Sequence, residues 1–193
     1  MLKCKGDVEM DSYGEIQSNN FNLGLIRTRG NLKVSPNIYH NTKLLLKLYN
    51  KVLWRINNSF EEIEADSISF SGKKLDELIE NLTDTEEFIS EAKLESRLQS
   101  IADSKSIINL IEKALMMLKS YPENGERYYS IIYKIYISAY PYCENEILEY
   151  LCCSRATYYR EKRNAINLLG TILWGYLFPN FIKELKSLEL IQD

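Results

Sequence analysis

The stretch ENEILEYLCCSRATYYREKRNAI, from Glu144 to Ile166, decides how this chain is read. It offers a helix of about two turns, ENEILEYL, then a three-residue connection, CCS, then a longer helix that opens with polar and basic residues. Ser154 is well suited to cap that second helix, because a serine hydroxyl accepts from a backbone N–H two or three residues on. Ile147 and Leu151 lie four apart and share one face of the first helix, and Cys153 and Tyr158 flank the turn and can seat the second. Ala165, Ile166 and Leu169 continue the buried stripe. That register leaves Ser154, Arg155, Ala156, Tyr159, Arg160 and Arg163 facing outward, with Lys162 beside them. A short helix, a tight turn and a basic second helix form the helix-turn-helix arrangement, in which the N-terminal turns of the second helix enter the DNA major groove. The bland alternative is a solvated basic corner of a helical bundle.

Around this stretch the chain is mainly helical. From Met1 to about Ser35, glycines and short polar clusters read as irregular structure or a small β-hairpin. After Pro36, Leu44, Leu45, Leu48, Val52, Ile56 and Phe60 recur at threes and fours, a single amphipathic stripe that Asn41 or Thr42 could cap. SFSGKK separates it from a shorter helix, KKLDELIENL. A long helix is expected from about Glu86 to Lys119, with Leu94, Leu98, Ile101, Ile108, Ile111, Leu115 and Leu118 on its stripe. YPENG should end it, with Pro122 and Gly125 as punctuation. ERYYSIIYKIYISAY should then turn Tyr129, Ile132, Tyr133, Tyr136 and Ile137 inward until Pro141. The helix from Arg155 is expected to stop at Pro179, and FIKELKSLELI to form a last short helix. These signals divide the chain into an N-terminal segment, residues 1–40, a helical region, 41–120, and a domain carrying the helix pair, 121–193.

Composition narrows the function classes. The chain has 193 residues, a formal charge of −3, 45% hydrophobic and 26% charged residues. That is ordinary globular composition, and its acidity argues against wholesale coating of nucleic acid but not against a local basic face. Cys4, Cys143, Cys152 and Cys153 form no C-x-x-C pair, and the single histidine, His40, is distant. Reduced thiols with no metal are expected, with Cys152 and Cys153 mostly buried. MLKCKGDVEMD has no apolar signal core. The run from Ala165 to Phe178 is about 14 residues, short of the roughly 20 that span a bilayer. A cytosolic protein is the expectation. No phosphate loop, G-x-G-x-x-G or H-E-x-x-H motif is present, and paired acids such as Glu61-Glu62 have no visible partner groups, so no enzyme and no cofactor are expected.

The segment 114–175 resembles the ArpU-type phage transcriptional regulators, whose C-terminal part is similar to region four of bacterial sigma factors. KALMML, YYSIIYKIYI and EILEYLCCSRATYYREKRNAINLLG carry the resemblance, and S-R-x-T-Y-Y-R-x-K-x-x-A is its most distinctive piece. NTKLLLKLYNKVLWRI is similar to the family's upstream helix; together these cover about half the chain. The resemblance implies a transcriptional regulator that binds a double-stranded promoter or operator through Ser154, Arg155, Tyr159, Arg160 and Arg163, with RNA polymerase as a second partner. Leu148 stands where a small residue is usual and Cys152 where glycine is usual, which implies looser helix packing and a turn that tolerates a side chain. On the residues alone, Arg155, Tyr159, Arg160 and Arg163 are expected at base edges and Lys162 at phosphate. The competing reading is a non-enzymatic helical protein that binds polymerase or a phage factor without DNA contacts of its own. The apolar run Ile166 to Phe178 needs covering, by the upstream helices or by a second copy; paired half-sites favour a homodimer.

Overall fold

Pro36 opens the first helix, α1 (Pro36–Asn58). Its fixed φ suits a first helical position, and the Ser35 hydroxyl accepts from the Ile38 N–H at 3.3 Å. The cap therefore lies upstream of Asn41 and Thr42, which are buried inside the helix; Thr42 donates its hydroxyl to the Ile38 carbonyl at 2.6 Å. The computed structural model of the chain describes residues 34–58, 90–98 and 101–189. The hairpin expected before Ser35, the helix KKLDELIENL and Phe60 lie outside those residues.

All the regular structure among the described residues is helical. α1 buries Leu44, Leu45, Leu48 and Val52, and also Leu46 and Tyr49, an arc too wide for a surface helix. It packs against the helices that follow on more than one side.

The long helix expected from Glu86 is two helices, α2 (Glu91–Arg97) and α3 (Ile101–Lys119). Ser90 starts α2, accepting from Lys93 N–H at 3.2 Å. α2 ends at Leu98, whose carbonyl is taken by side chains. Ser104 donates to it at 3.0 Å, and the Arg55 guanidinium donates to it from α1. An apolar stripe survives such a break, which is why Leu94, Leu98, Ile108, Ile111, Leu115 and Leu118 are all buried as their spacing required.

Gly125 is a beginning, not an end. It is the first residue of α4 (Gly125–Ile132), after Asn124 in the left-handed region at φ 63°. A Cβ on Gly125 would lie 2.6 Å from the Leu118 carbonyl oxygen and 2.8 Å from that of Lys119, so only glycine lets α4 fold back so closely on α3. α4 continues as a π turn, Tyr133–Ile137. Its buried residues are Tyr128, Ile131 and Ile132, while Tyr133, expected inward, is 43% exposed. α4 lies between two cores, so its buried face is not the one stripe the periodicity suggested.

α5 (Glu144–Leu151), the turn at Cys152–Cys153 and α6 (Arg155–Ile172) follow. Pro179 does not halt the last helix. α6 runs through a π turn, Leu173–Leu177, into α7 (Phe178–Glu189). The widened turn just ahead of Pro179 is a common way for a helix to accommodate proline. Over Arg155–Ser187, 33 residues, this continuous helix is long and apolar enough to cross a membrane, which the 14-residue run alone was not. Its apolar window is 61% buried inside the protein, as in a core helix.

The main core joins Leu45, Leu46, Leu94, Ile111, Leu118, Ile132, Ile166, Leu169 and Phe178, with contributions from either side of residue 120. A second, small cluster holds Ile131, Ile147, Leu151 and Tyr158, flanked by Ile135, Leu148 and Cys153. α6 belongs to both. Tyr158 anchors its start in the small cluster, and Ala165, Ile166, Leu168 and Leu169 anchor its middle in the large one. The segment Ile166 to Phe178 is thereby covered by helices of its own chain, chiefly α1, α3 and α4.

Candidate nucleic-acid interface

α5 is held at its start by Glu146, whose carboxylate accepts from the Cys143 N–H at 2.7 Å. It ends at Cys152, in the left-handed region at φ 47°, where the resemblance places glycine. The turn does carry a side chain. Cys152 is exposed and Cys153 half-buried, so the expected burial of both cysteines is corrected: the left-handed backbone at Cys152 aims its thiol at solvent, near the Glu149 carbonyl at 3.3 Å. Leu148 is accommodated at the edge of the small core. No group of three or more histidine, cysteine or acidic side chains is assembled to hold a metal among the described residues.

Ser154 caps α6, accepting from the Thr157 N–H at 3.3 Å. Ser154, Arg155, Ala156, Tyr159, Arg160 and Arg163 are all exposed, and Tyr158 is buried, the register set by Tyr158, Ala165 and Ile166. Lys162 sits elsewhere. It is half-buried, its ammonium 5.6 Å from the Tyr158 ring centre and 5.8 Å from that of Tyr136. Burial, and then the charge of nearby Lys43, hold its pKa below the ordinary lysine range.

Two acids decide how much of the positive charge is free. Glu161, in the middle of the basic run, is turned inward. It pairs with Arg127 of α4 at 2.7 Å, and Arg127 also donates to the Leu151 carbonyl at 3.3 Å. The pair fastens α4, α5 and α6 together and raises the Arg127 pKa. Arg160 and Arg163 have no carboxylate partner among the described residues, and Glu161, one and two positions away along α6, faces neither. Glu144 acts in the opposite direction. One oxygen is 3.1 Å from Arg155 Nε, and the other accepts from the Tyr159 hydroxyl at 2.7 Å. That hydrogen bond is the main reason the Tyr159 pKa is raised.

α1 adds to the basic side. A groove of about 450 Å³ between α1 and α6 is lined by Tyr39, His40 and Lys43 from α1 and by Arg163 and Asn167 from α6, with no acidic residue among its described walls. Next to the α5 start, Lys134 lies 4.0 Å from the Tyr142 ring centre and 3.9 Å from that of Tyr150, a sandwich that pins the α4–α5 connection. Spacing along the chain foretold the exposed face but neither the Arg127 partner of Glu161 nor the groove. Both depend on residues far away in sequence.

Set against known proteins, the chain matches no protein family, no curated protein and no solved structure.

Proposed function

We propose that the chain is a sequence-specific DNA-binding regulator of transcription, of bacterial or prophage type. It would work at the nucleoid and place the start of α6 in the major groove. The observation that carries this is the division of α6 into two faces. Tyr158, Ala165 and Ile166 are buried, while Arg155, Tyr159, Arg160 and Arg163 are exposed at a Ser154-capped N-terminus, two of the arginines without an acidic partner among the described residues. A duplex in that position receives guanidinium groups at base edges, where bidentate pairing to guanine is the commonest specific contact. Phosphates fall near the helix N-terminus and toward the Lys43–Arg163 groove. The half-buried Lys162 contributes charge from beneath. The resemblance to ArpU-type regulators supports the same reading. A homodimer now rests on paired half-sites alone, since the apolar run that also suggested it is covered within the chain.

Selection from a random duplex pool, followed by a salt titration on the selected site, tests this. A DNA binder yields a consensus and loses affinity steeply as salt rises, with a log–log slope of roughly −0.9 per phosphate neutralised. A pool that enriches nothing at low salt would leave the basic face as a solvated corner, and the protein-interaction reading would replace this one.

A further inference from the structure

The exposed face of α6 carries one acidic intruder, and its contacts are specific. Glu144 is the first residue of α5, yet both its oxygens are spent on α6, one on Arg155 Nε and one on the Tyr159 hydroxyl. Arg155 is 70% exposed and Glu144 34%, so a ligand can reach the pair and compete for it. Glu149, on the same helix and also exposed, has no such partners. Among the described residues Arg160 and Arg163 meet no carboxylate, so the face combines two unpaired cations with one cation and one hydroxyl already engaged.

We propose that Glu144 is the selectivity determinant of this face, a positioning residue that acts through Arg155 and Tyr159; the proposal rests on the DNA-binding reading above. A duplex of arbitrary sequence meets Arg160 and Arg163 and is also repelled by the Glu144 carboxylate. Its phosphates offer Arg155 only one charged hydrogen bond in exchange for the one already made, so Arg155 gains nothing by leaving Glu144. A duplex with a base edge presenting two acceptors opposite Arg155 draws the guanidinium across. The exchange replaces one charge-assisted bond with a bidentate one. The penalty from Glu144 thus falls mainly on wrong sequences, which is how an unfavourable charge produces specificity.

The test compares Glu144→Gln with Glu149→Gln. Binding isotherms are measured on the selected site and on a scrambled duplex, with a thermal melt for each variant. Glu144→Gln should tighten scrambled binding by about tenfold, the scale of one charge-assisted contact, and selected-site binding much less. The ratio of the two affinities then falls by nearly that factor. Glu149→Gln should shift both duplexes by one common small factor. With Arg155→Ala and Tyr159→Phe both in place, Glu144→Gln should leave the ratio unchanged, a coupling that a merely structural role for Glu144 does not produce. Should the glutamine variant melt early, Glu144→Asp takes its place. It keeps the charge at the helix start but falls short of both partners, and it too should lower the ratio. An unchanged ratio with binding intact, or an equal fall in Glu149→Gln, overturns the proposal. Absence of all duplex binding by the unaltered protein is a different result; it overturns the DNA reading and this inference with it.

Discussion

Gly170 fixes how closely α1 lies across α6, and replacing it by alanine should destabilise the protein. A Cβ there would stand 2.8 Å from Thr42 Oγ1 and 3.0 Å from Ile38 Cγ2, against ordinary contact from about 3.4 Å. Thr42 cannot step aside freely. It is fully buried, and its hydroxyl is tied to the Ile38 carbonyl at 2.6 Å; turning it away would orphan a buried hydroxyl at about 1–3 kcal/mol. Overpacking of this kind costs about 1–3 kcal/mol. Alanine returns about 0.5–1 kcal/mol of that, because glycine is the poorer helix former. The net expectation is a loss of about 1–2 kcal/mol, a fall in Tm of about 2–8 °C for a chain of this size. Denaturant unfolding of Gly170→Ala, Thr42→Ala and the double variant measures it. Thr42→Ala removes the nearer obstacle, so the combined loss should be smaller than the sum by about 0.5 kcal/mol or more. A Gly170→Ala protein that melts at or above the wild-type temperature, or losses that simply add, would refute the close-approach reasoning. It would mean that α1 rides outward at no cost.

Three further outcomes are expected. Arg160→Ala and Arg163→Ala should each melt within about 0.5 kcal/mol of wild type, being exposed and unpaired. An arginine that reads a base edge should, on replacement, weaken selected-site binding by about 1–3 kcal/mol, whereas one that meets only phosphate should weaken all duplexes alike and lower the salt slope by about one; wild-type binding by both variants would remove α6 from the interface. Tyr158→Ala should cost about 3–5 kcal/mol by thermal melt, as a buried aromatic in a small cluster, and a near-normal melt would show that cluster to be dispensable. Ser154→Ala should cost about 1 kcal/mol by the same measurement, through loss of the cap on Thr157; no change would mean that solvent replaces the hydroxyl.

What the sequence determined by itself is local. Ser154 capping α6, the short α5 before it and the outward set Ser154, Arg155, Ala156, Tyr159, Arg160 and Arg163 all followed from spacing, because a helix of 3.6 residues per turn assigns faces once Tyr158, Ala165 and Ile166 are taken as buried. The mainly helical class followed for the same reason. Tertiary structure decided what local period does not encode. Pro179 and the region around Leu98 carry ordinary breaker or helix signals, yet a π turn carries α6 past the first, and at the second the helix ends where the side chains of Ser104 and Arg55 take the Leu98 carbonyl. Gly125 reads as a stop until the Leu118 and Lys119 carbonyls are found against it. The charge of the exposed face was settled furthest from the local sequence. Glu161, on the inner side of α6, finds its partner in Arg127, thirty-four residues earlier, and Glu144 is brought onto the exposed face across the turn. A carboxylate's partner is chosen by which helices the cores bring together, and that choice depends on burial summed over the whole chain.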